Sequence, residues 1–413
     1  MNIYKLSYKS VMNRRTTAML TVFTVAISVL LLLAVERVRV QAKQSFANTI
    51  SNTDLIVGAR SGQINLLLYS VFRIGNPTNN IDWKSYQQVL KDPSVRWSIP
   101  ISLGDSHRGF RVIGTNQDFF KYYQYGRKQA LTFSTGKAFE GLYDTVIGAQ
   151  VAKELGYTLG SEIVIAHGIS DKKFNRHKNS PFIVTGILAP TGTPVDKSVH
   201  VSLFAIEAIH AGGAHSVNTD HKALQKQLQP KQITAFMLGL KSRVQSFSLQ
   251  RKINTYRAEP LSAIMPGIAL HELWGIMSIA EQALQGVSLF VLVAAMLAML
   301  GNLLSSLQER RREMAILRAM GARPRHVFAL LVSEASLLTC LGIILGISLL
   351  YLFIGAMAPI LSAQYGLNFE MSALSQTEWL LIALVQISGI CIGFIPAINA
   401  YRNSLADGMT IRI

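Results

Sequence analysis

Gln308-Glu-Arg-Arg-Arg-Glu-Met-Ala-Ile-Leu-Arg-Ala-Met-Gly-Ala-Arg-Pro324 separates two long apolar runs, and the rest of the chain is read outward from it. Its residues are good helix formers. Gly321 stands where a helix C-terminal cap belongs, and Pro324 follows three residues later to stop continuation. Met314, Leu317 and Met320 recur on one face, while Glu309, Arg310, Arg311, Arg312 and Glu313 crowd the amino-terminal half and Arg318 follows. The pattern is a short amphipathic helix joining two membrane spans. Charge alone fits an anchor lying at lipid headgroups. The apolar face also fits a coupling helix that docks into a cytoplasmic protein.

Four apolar runs flank and follow this segment: about Thr16 to Val35, Gly286 to Leu307, Val327 to Ile354 and Trp379 to Asn399. The first is close to the ~20 residues that cross ~30 Å of hydrocarbon, and the others are at least as long. The first is followed by Val35-Glu-Arg-Val-Arg39 rather than by a small-residue cleavage site, so it reads as an uncleaved anchor. Lys5, Lys9, Arg14 and Arg15 precede it, and the segment after span two is rich in arginine. The loop from Ser362 to Glu378 holds no Lys or Arg. The positive-inside rule then puts both termini and the arginine-rich loop in the cytoplasm, and the long middle segment outside.

Of the 413 residues, 50% are hydrophobic and 15% charged, too few charges for an ordinary soluble protein of this size. The formal charge of +17 is scattered, without a basic run interleaved with aromatics, which excludes nucleic acid as a partner class. The two cysteines, Cys340 and Cys391, fall inside apolar runs, so the outer domain has no disulfide and must rely on a core.

The middle reads as mixed α and β. Helical stretches at Gln44 to Ile50 and Leu270 to Gln285 extend the first two spans as stalks. Strands are expected at Asp54 to Gly58, Phe110 to Ile113, Asp144 to Ile147, Ile163 to Ala166, Phe182 to Ile187 and Val199 to Leu203. Helices are expected at Trp83 to Leu90, Ala149 to Leu155 and Leu203 to Ala211. Arg96 to Arg108 and Asp171 to Pro181 read as surface loops.

Glu309-Arg-Arg-Arg-Glu-Met-Ala-Ile-Leu-Arg-Ala-Met-Gly-Ala322 resembles the hallmark segment of FtsX-like ABC transporter permeases of the MacB and LolC/LolE type. Val146-Ile-Gly-Ala-Gln-Val-Ala-Lys-Glu-Leu-Gly156, Gly160-Ser-Glu-Ile-Val-Ile165 and Phe182-Ile-Val-Thr-Gly-Ile-Leu188 resemble the extracytoplasmic core domain of that family. Glu334-Ala-Ser-Leu-Leu338 and Pro396-Ala-Ile-Asn-Ala-Tyr-Arg402 fit its last spans. The resemblance covers the whole chain in layout and about the last 140 residues in detail. It implies a dimeric inner-membrane permease, from two identical protomers or from paralogues, with one cytoplasmic ABC ATPase per protomer. ATP-driven motion would pass through the stalks to an outer domain that acts on lipoprotein, peptide or hydrophobic cargo, with a periplasmic adaptor or lipoprotein as a further partner. The sequence departs from MacB in carrying no fused nucleotide-binding domain. Thr135-Gly-Lys-Ala138 lacks both the first glycine and the Ser/Thr of a phosphate-binding loop. ATP and magnesium are therefore expected in a partner subunit, and none bound by this chain.

Gly342-Ile-Ile-Leu-Gly346 and Gly389-Ile-Cys-Ile-Gly393 are small-x-x-x-small patterns, which let helix backbones approach closely either within a protomer or across a dimer. Glu334 is costly in hydrocarbon and should face protein. His210-Ala-Gly-Gly-Ala-His-Ser-Val-Asn-Thr-Asp-His221 is either a solvated loop or a zinc contact through His210, His215 and His221, whose spacing is not that of a structural zinc site. No hydrolase or zinc-protease motif occurs, and no nucleophilic cysteine lies outside the spans, so the chain reads as a non-enzyme.

The fold expectation is a membrane protein of four transmembrane helices with helical stalks and a large mixed α/β extracytoplasmic domain between helices 1 and 2. The cytoplasmic N-terminus and first span occupy residues 1–35, stalks and core domain 36–285, and the permease domain with helices 2 to 4 286–413. The function expected is that of a mechanotransmission permease subunit. The rivals are a non-transporting regulator of a periplasmic cell-wall hydrolase, and a metal or peptide sensor.

Overall fold

The computed structural model describes residues 15–167, 181–210, 228–309, 323–365 and 372–406. Two compact units emerge, a helical bundle and a sheet domain within Ala42–Met277.

Strands β1 (Leu55–Ala59), β2 (Val95–His107), β3 (Phe110–Thr115), β4 (Phe133–Gly136), β5 (Asp144–Ile147), β6 (Glu162–Ile163), β7 (Ala166–His167), β8 (Phe182–Leu188), β9 (Ser198–Ser202), β10 (Ala235–Leu240) and β11 (Leu261–Ile264) form one mixed sheet. Its order is β11-β1-β10-β2-β3-β9-β5-β8-β4, with β7 added to β2 and β6 to β8. The pairs β3–β9 and β5–β8 are parallel and the others antiparallel. β1 and β10 are buried along their whole length, so they read as continuous apolar runs rather than alternating ones.

The helices are α1 (Arg15–Thr49), α2 (Gln63–Leu67, continuing as a π turn, Leu68–Phe72), α3 (Trp83–Leu90), α4 (Asp118–Tyr122), α5 (Ala149–Leu155) and α6 (Leu203–His210). They continue with α7 (Ser246–Asn254), α8 (Pro266–Glu309), α9 (Pro324–Tyr365) and α10 (Gln376–Ala406). Helix α5 is bounded by sequence chemistry: Gly148 is extended at its start, and Gly156 adopts φ +68° at its end, a left-handed cap that favours glycine. Helices α1, α8, α9 and α10 are long and apolar enough to cross a membrane. The stalk expectation corresponds to α1 running unbroken to Thr49 and α8 starting at Pro266. Within the sheet domain, Phe46 of α1 stands edge-on to Trp274 of α8 at 5.5 Å and packs on Phe72 of the π turn at 4.6 Å.

Two expectations fail. Ile163 to Ala166, read as one strand, is split between β6, which pairs with β8, and β7, which pairs with β2. Arg96 to Arg108, read as a surface loop, is almost all β2, the longest strand and a central one. Pro100 and Gly104 disguised it, because proline lacks the ladder donor. The structure accommodates Pro100 where the pairing with β3 runs out: that register begins at Ser102, and the Pro100 carbonyl instead accepts a bond from Thr115 Oγ1 at 2.8 Å. Arg108 and Gly109, at φ +46° and +88°, turn β2 into β3. The amphipathic segment from Arg310 to Ala322 lies outside the described residues, as do His215, His221 and most of the Asp171 to Pro181 loop. Pro324, read as a stop, is the first residue of α9, where its missing N–H costs nothing.

Candidate functional site

The four glycines singled out in the spans all face neighbouring helices of the same chain. A Cβ on Gly342 would lie 2.6 Å from Val25 Cγ1, and one on Gly346 2.8 Å from the Ala26 carbonyl, so α9 meets α1 along this stripe. A Cβ on Gly389 would lie 2.1 Å from Thr339 Oγ1, and one on Gly393 2.6 Å from Ala335 Cβ, which brings α10 against α9. Polar groups add further ties between helices. Asn302 Nδ2 donates to Thr21 Oγ1 at 2.9 Å, joining α8 to α1, and Gln386 Nε2 donates to Ser336 Oγ at 2.9 Å, joining α10 to α9. Glu334 is buried, as its cost in hydrocarbon requires. Replacing Gly389 with leucine should overpack the α9–α10 seam, costing about 1–3 kcal/mol or more. A detergent thermal melt of the purified chain would read this as a lowered midpoint, and an unchanged midpoint would contradict the close approach.

Sequence reading missed a buried ion pair of the bundle. Arg37 of α1 donates from Nε to Glu378 Oε1 of α10 at 2.7 Å, and both side chains are nearly inaccessible, 5% and 3% exposed. Arg37 Nη2 also donates to the Ser372 carbonyl at 3.0 Å and to the Tyr351 hydroxyl at 3.2 Å, and its guanidinium lies 5.0 Å from the Tyr351 ring centre. Ser375 N–H donates to the second carboxylate oxygen at 2.7 Å. The signal was present: Arg37 follows one span and Glu378 opens another, at ends that topology places on one side of the membrane.

In the sheet domain, the C-terminus of α1 is capped rather than left with bare carbonyls. Tyr123 Oη donates to the Thr49 carbonyl at 2.5 Å, Gly126 N–H to the Asn48 carbonyl at 2.7 Å, and Ser51 N–H to the Gln124 carbonyl at 2.9 Å. Burial pushes the Tyr123 hydroxyl up to about 12, so it stays a donor. Burial likewise brings Arg73, just after the π turn, down to about 10. His200 of β9 is fully buried with its ring 4.8 Å from Phe119. Burial, and then the positive Arg73, hold it down to about 3, so it is neutral at ordinary pH. Asp196 is pushed up by burial, against hydrogen bonds from Thr191 and Gly192 that favour its charged form.

Among the described residues, no group of three or more His, Cys, Asp or Glu side chains gathers to hold a metal. Of the histidine loop only His210, the last residue of α6, is described. Of the coupling segment only Glu309, the last residue of α8, is described.

A family model for the MacB-like periplasmic core domain matches residues 18–256, more than half of the chain, and one for the FtsX-like permease C-terminal domain matches residues 286–405. The chain belongs to the MacB-like, FtsX-like permease family. Relatives of this permease include the macrolide export ATP-binding/permease protein MacB of Salmonella paratyphi A (strain ATCC 9150 / SARB42). That protein is 22% identical over 334 residues, covering 77% of this chain and 46% of its own length. MacB of Shewanella sp. (strain ANA-3) is 30% identical over 126 residues, 30% of this chain and 18% of its own. The chain thus spans about half or less of the length of the curated relatives it matches. Among solved structures, the periplasmic region of MacB from Actinobacillus actinomycetemcomitans aligns over 55% of this chain and 94% of its own, at 10% identity and a TM-score of 0.35. The extracellular domain of the noncanonic ABC-type transporter YknZ from Gram-positive bacteria aligns over 52% of this chain and 100% of its own, at 14% identity and a TM-score of 0.31.

Proposed function

We propose that this chain is the membrane permease subunit of an ABC transporter of the mechanotransmission type, coupling ATP hydrolysis in a separate cytoplasmic subunit to export or extraction at the outer face. The observation that carries the reading is the layout: a MacB-like core domain inserted between the first and second of four spanning helices, with an FtsX-like region after it. Both termini and the segment from Glu309 to Gly321 lie in the cytoplasm in this reading, and the sheet domain lies on the far side of an inner membrane. Two protomers, identical or paralogous, come together when their ATPases bind ATP. Cargo is a lipoprotein, peptide or other hydrophobic molecule.

The amphipathic segment is the contact with the ATPase in this proposal. Met314, Leu317 and Met320 supply its apolar face, and Glu309 and Glu313 pair with cations of the ATPase. A Glu309→Ala/Glu313→Ala double variant should leave the permease in the membrane but reduce permease-stimulated ATP hydrolysis by about tenfold or more, the loss of two charge-assisted contacts. Co-purification from native membranes in gentle detergent, followed by an ATPase assay, reads both arms. Full stimulation in the double variant would sink the assignment of the segment. Reproducible absence of any ABC ATPase from the wild-type preparation would sink the permease reading itself.

A further inference from the structure

Arg73 closes the π turn of α2 with its charge unanswered. It takes a left-handed conformation, φ +61°, which is uncommon for residues other than glycine, asparagine and aspartate and costs energy wherever it is kept. The Ile74 N–H reaches back to the Leu68 carbonyl at 3.1 Å and seals the turn. Arg73 Nη1 donates to the Ser70 carbonyl. Its Nε is closed to solvent and has no hydrogen-bond partner, and Nη2 makes no bond among the described residues. The Nε–Nη2 edge is therefore free. It is an edge that a guanidinium offers to a carboxylate or phosphate through two parallel bonds.

No acid answers this edge. Burial brings Arg73 down to about 10, with nearby Arg111 acting in the same direction and Tyr123 against them, so it stays charged at neutral pH. Asp196, the buried acid that shares Tyr123 as a neighbour, takes its bonds from Thr191 and Gly192 instead. His200 is neutral and supplies no counter-charge. The sheet places the second cation. Arg111 stands opposite Ser198 where β3 pairs with β9, and two residues further on Ile113 stands opposite His200. Alternate residues share a face, so Arg111 lies on the side where Ile113 packs in one core with Val71 and Phe72 of the π turn. Arg111 Nη2 donates to the Gly75 carbonyl at 2.7 Å and to Asn76 Oδ1 at 3.1 Å, which ties the loop after Arg73 to β3. Burial lowers Arg111 too, and no carboxylate offsets it. Two guanidinium groups thus lie close together with no carboxylate between them. A charge held out of water in this way costs stability until something of opposite sign pairs with it.

We propose that Arg73 and Arg111 form a binding site for a small oxyanion, a carboxylate or phosphate group, taken side-on by the Nε–Nη2 edge of Arg73 and held from the rim by the Nε and Nη1 of Arg111. The π turn and the left-handed Arg73 are the local structure that presents this edge. The site depends neither on the location nor on the activity proposed above.

The test is a thermal melt of the purified full chain in detergent, followed by tryptophan fluorescence. Sodium phosphate, and separately sodium acetate, replaces sodium chloride at constant ionic strength. Wild type should show a saturable rise in midpoint of about 3–6 °C with at least one of the two anions by about 20 mM. Arg73→Gln should lose the saturable rise, and in chloride it should melt no lower than wild type, because an unpaired buried charge is gone. Arg111→Gln should need about tenfold more anion for the same rise, the loss of one charge-assisted contact. A shallow, non-saturating rise shared by wild type and Arg73→Gln would be salt exclusion from the surface and would overturn the site. So would the absence of any rise in wild type, or an Arg73→Gln chain that melts well below wild type in chloride, since the arginine would then already be compensated.

Discussion

Arg37→Met should destabilise the helical bundle by about 3–5 kcal/mol, while Arg37→Met combined with Glu378→Leu should recover most of that loss. The single change leaves the Glu378 carboxylate buried, keeping the Ser375 N–H bond but losing the guanidinium at 2.7 Å. A carboxylate removed from water without a cation carries several kcal/mol of desolvation cost. The double change removes both charges and so both desolvation costs, and apolar side chains of similar size fill the space. Thermal melts of the purified chain in one detergent, with the three variants side by side, make the comparison. A single variant as stable as wild type would mean that water reaches the pair. A double variant as weak as the single one would mean that packing around Tyr351 and Ser372, rather than charge, holds this corner.

Acid should unfold the sheet domain through His200, and His200→Leu should remove much of that sensitivity. The folded value near 3 lies below the ordinary 6.5 because burial, and then Arg73, disfavour the charged ring. The unfolded chain therefore binds a proton that the folded one refuses, so stability is full above about pH 6.5 and falls as pH drops towards 3. At pH 4 the loss is roughly 3 kcal/mol, taking about 1.4 kcal/mol per unit. Leucine is close in volume and carries no proton, so the variant's stability should change little over that range from this source. Denaturant midpoints followed by tryptophan fluorescence at pH 7, 5 and 4 would show the two curves converging at high pH and parting at low pH. Parallel curves would mean that His200 gains water before the domain unfolds.

The spans were legible because hydrocarbon imposes length and composition together, so Val327 to Ile354 could be read despite Glu334. Several outer strands were legible from β-branched residues: Asp144 to Ile147 runs through Thr, Val and Ile into Gly148, and Phe182 to Ile187 holds Ile, Val, Thr and Ile. Val95–His107 was not, because a proline and a glycine inside a strand are tolerated only through neighbours that sequence order does not reveal, here Thr115 and the end of β3. The glycine pairs were visible as patterns, but nothing local distinguishes Val25 and Thr339 as their neighbours from residues of another copy. Arg37 and Glu378 were each visible as a flanking charge, while the bond between them spans most of the chain.

The edge of the sheet determines how load passes through the domain. β1 follows the end of α1, β11 precedes α8, and the two strands are antiparallel neighbours, with Ile56 opposite Ile264 at the end where both helices attach and Ala59 opposite Leu261 at the far end. Forces that spread the helices apart therefore act on this ladder as on a zipper, opening one pair at a time. Forces that carry both helices in the same direction move these two strands together, leave their ladder unstrained and load the β1–β10 ladder in shear, all its bonds at once. The domain is stiff to concerted displacement and compliant to splaying, with Phe46 and Trp274 as the aromatic clasp that resists the second.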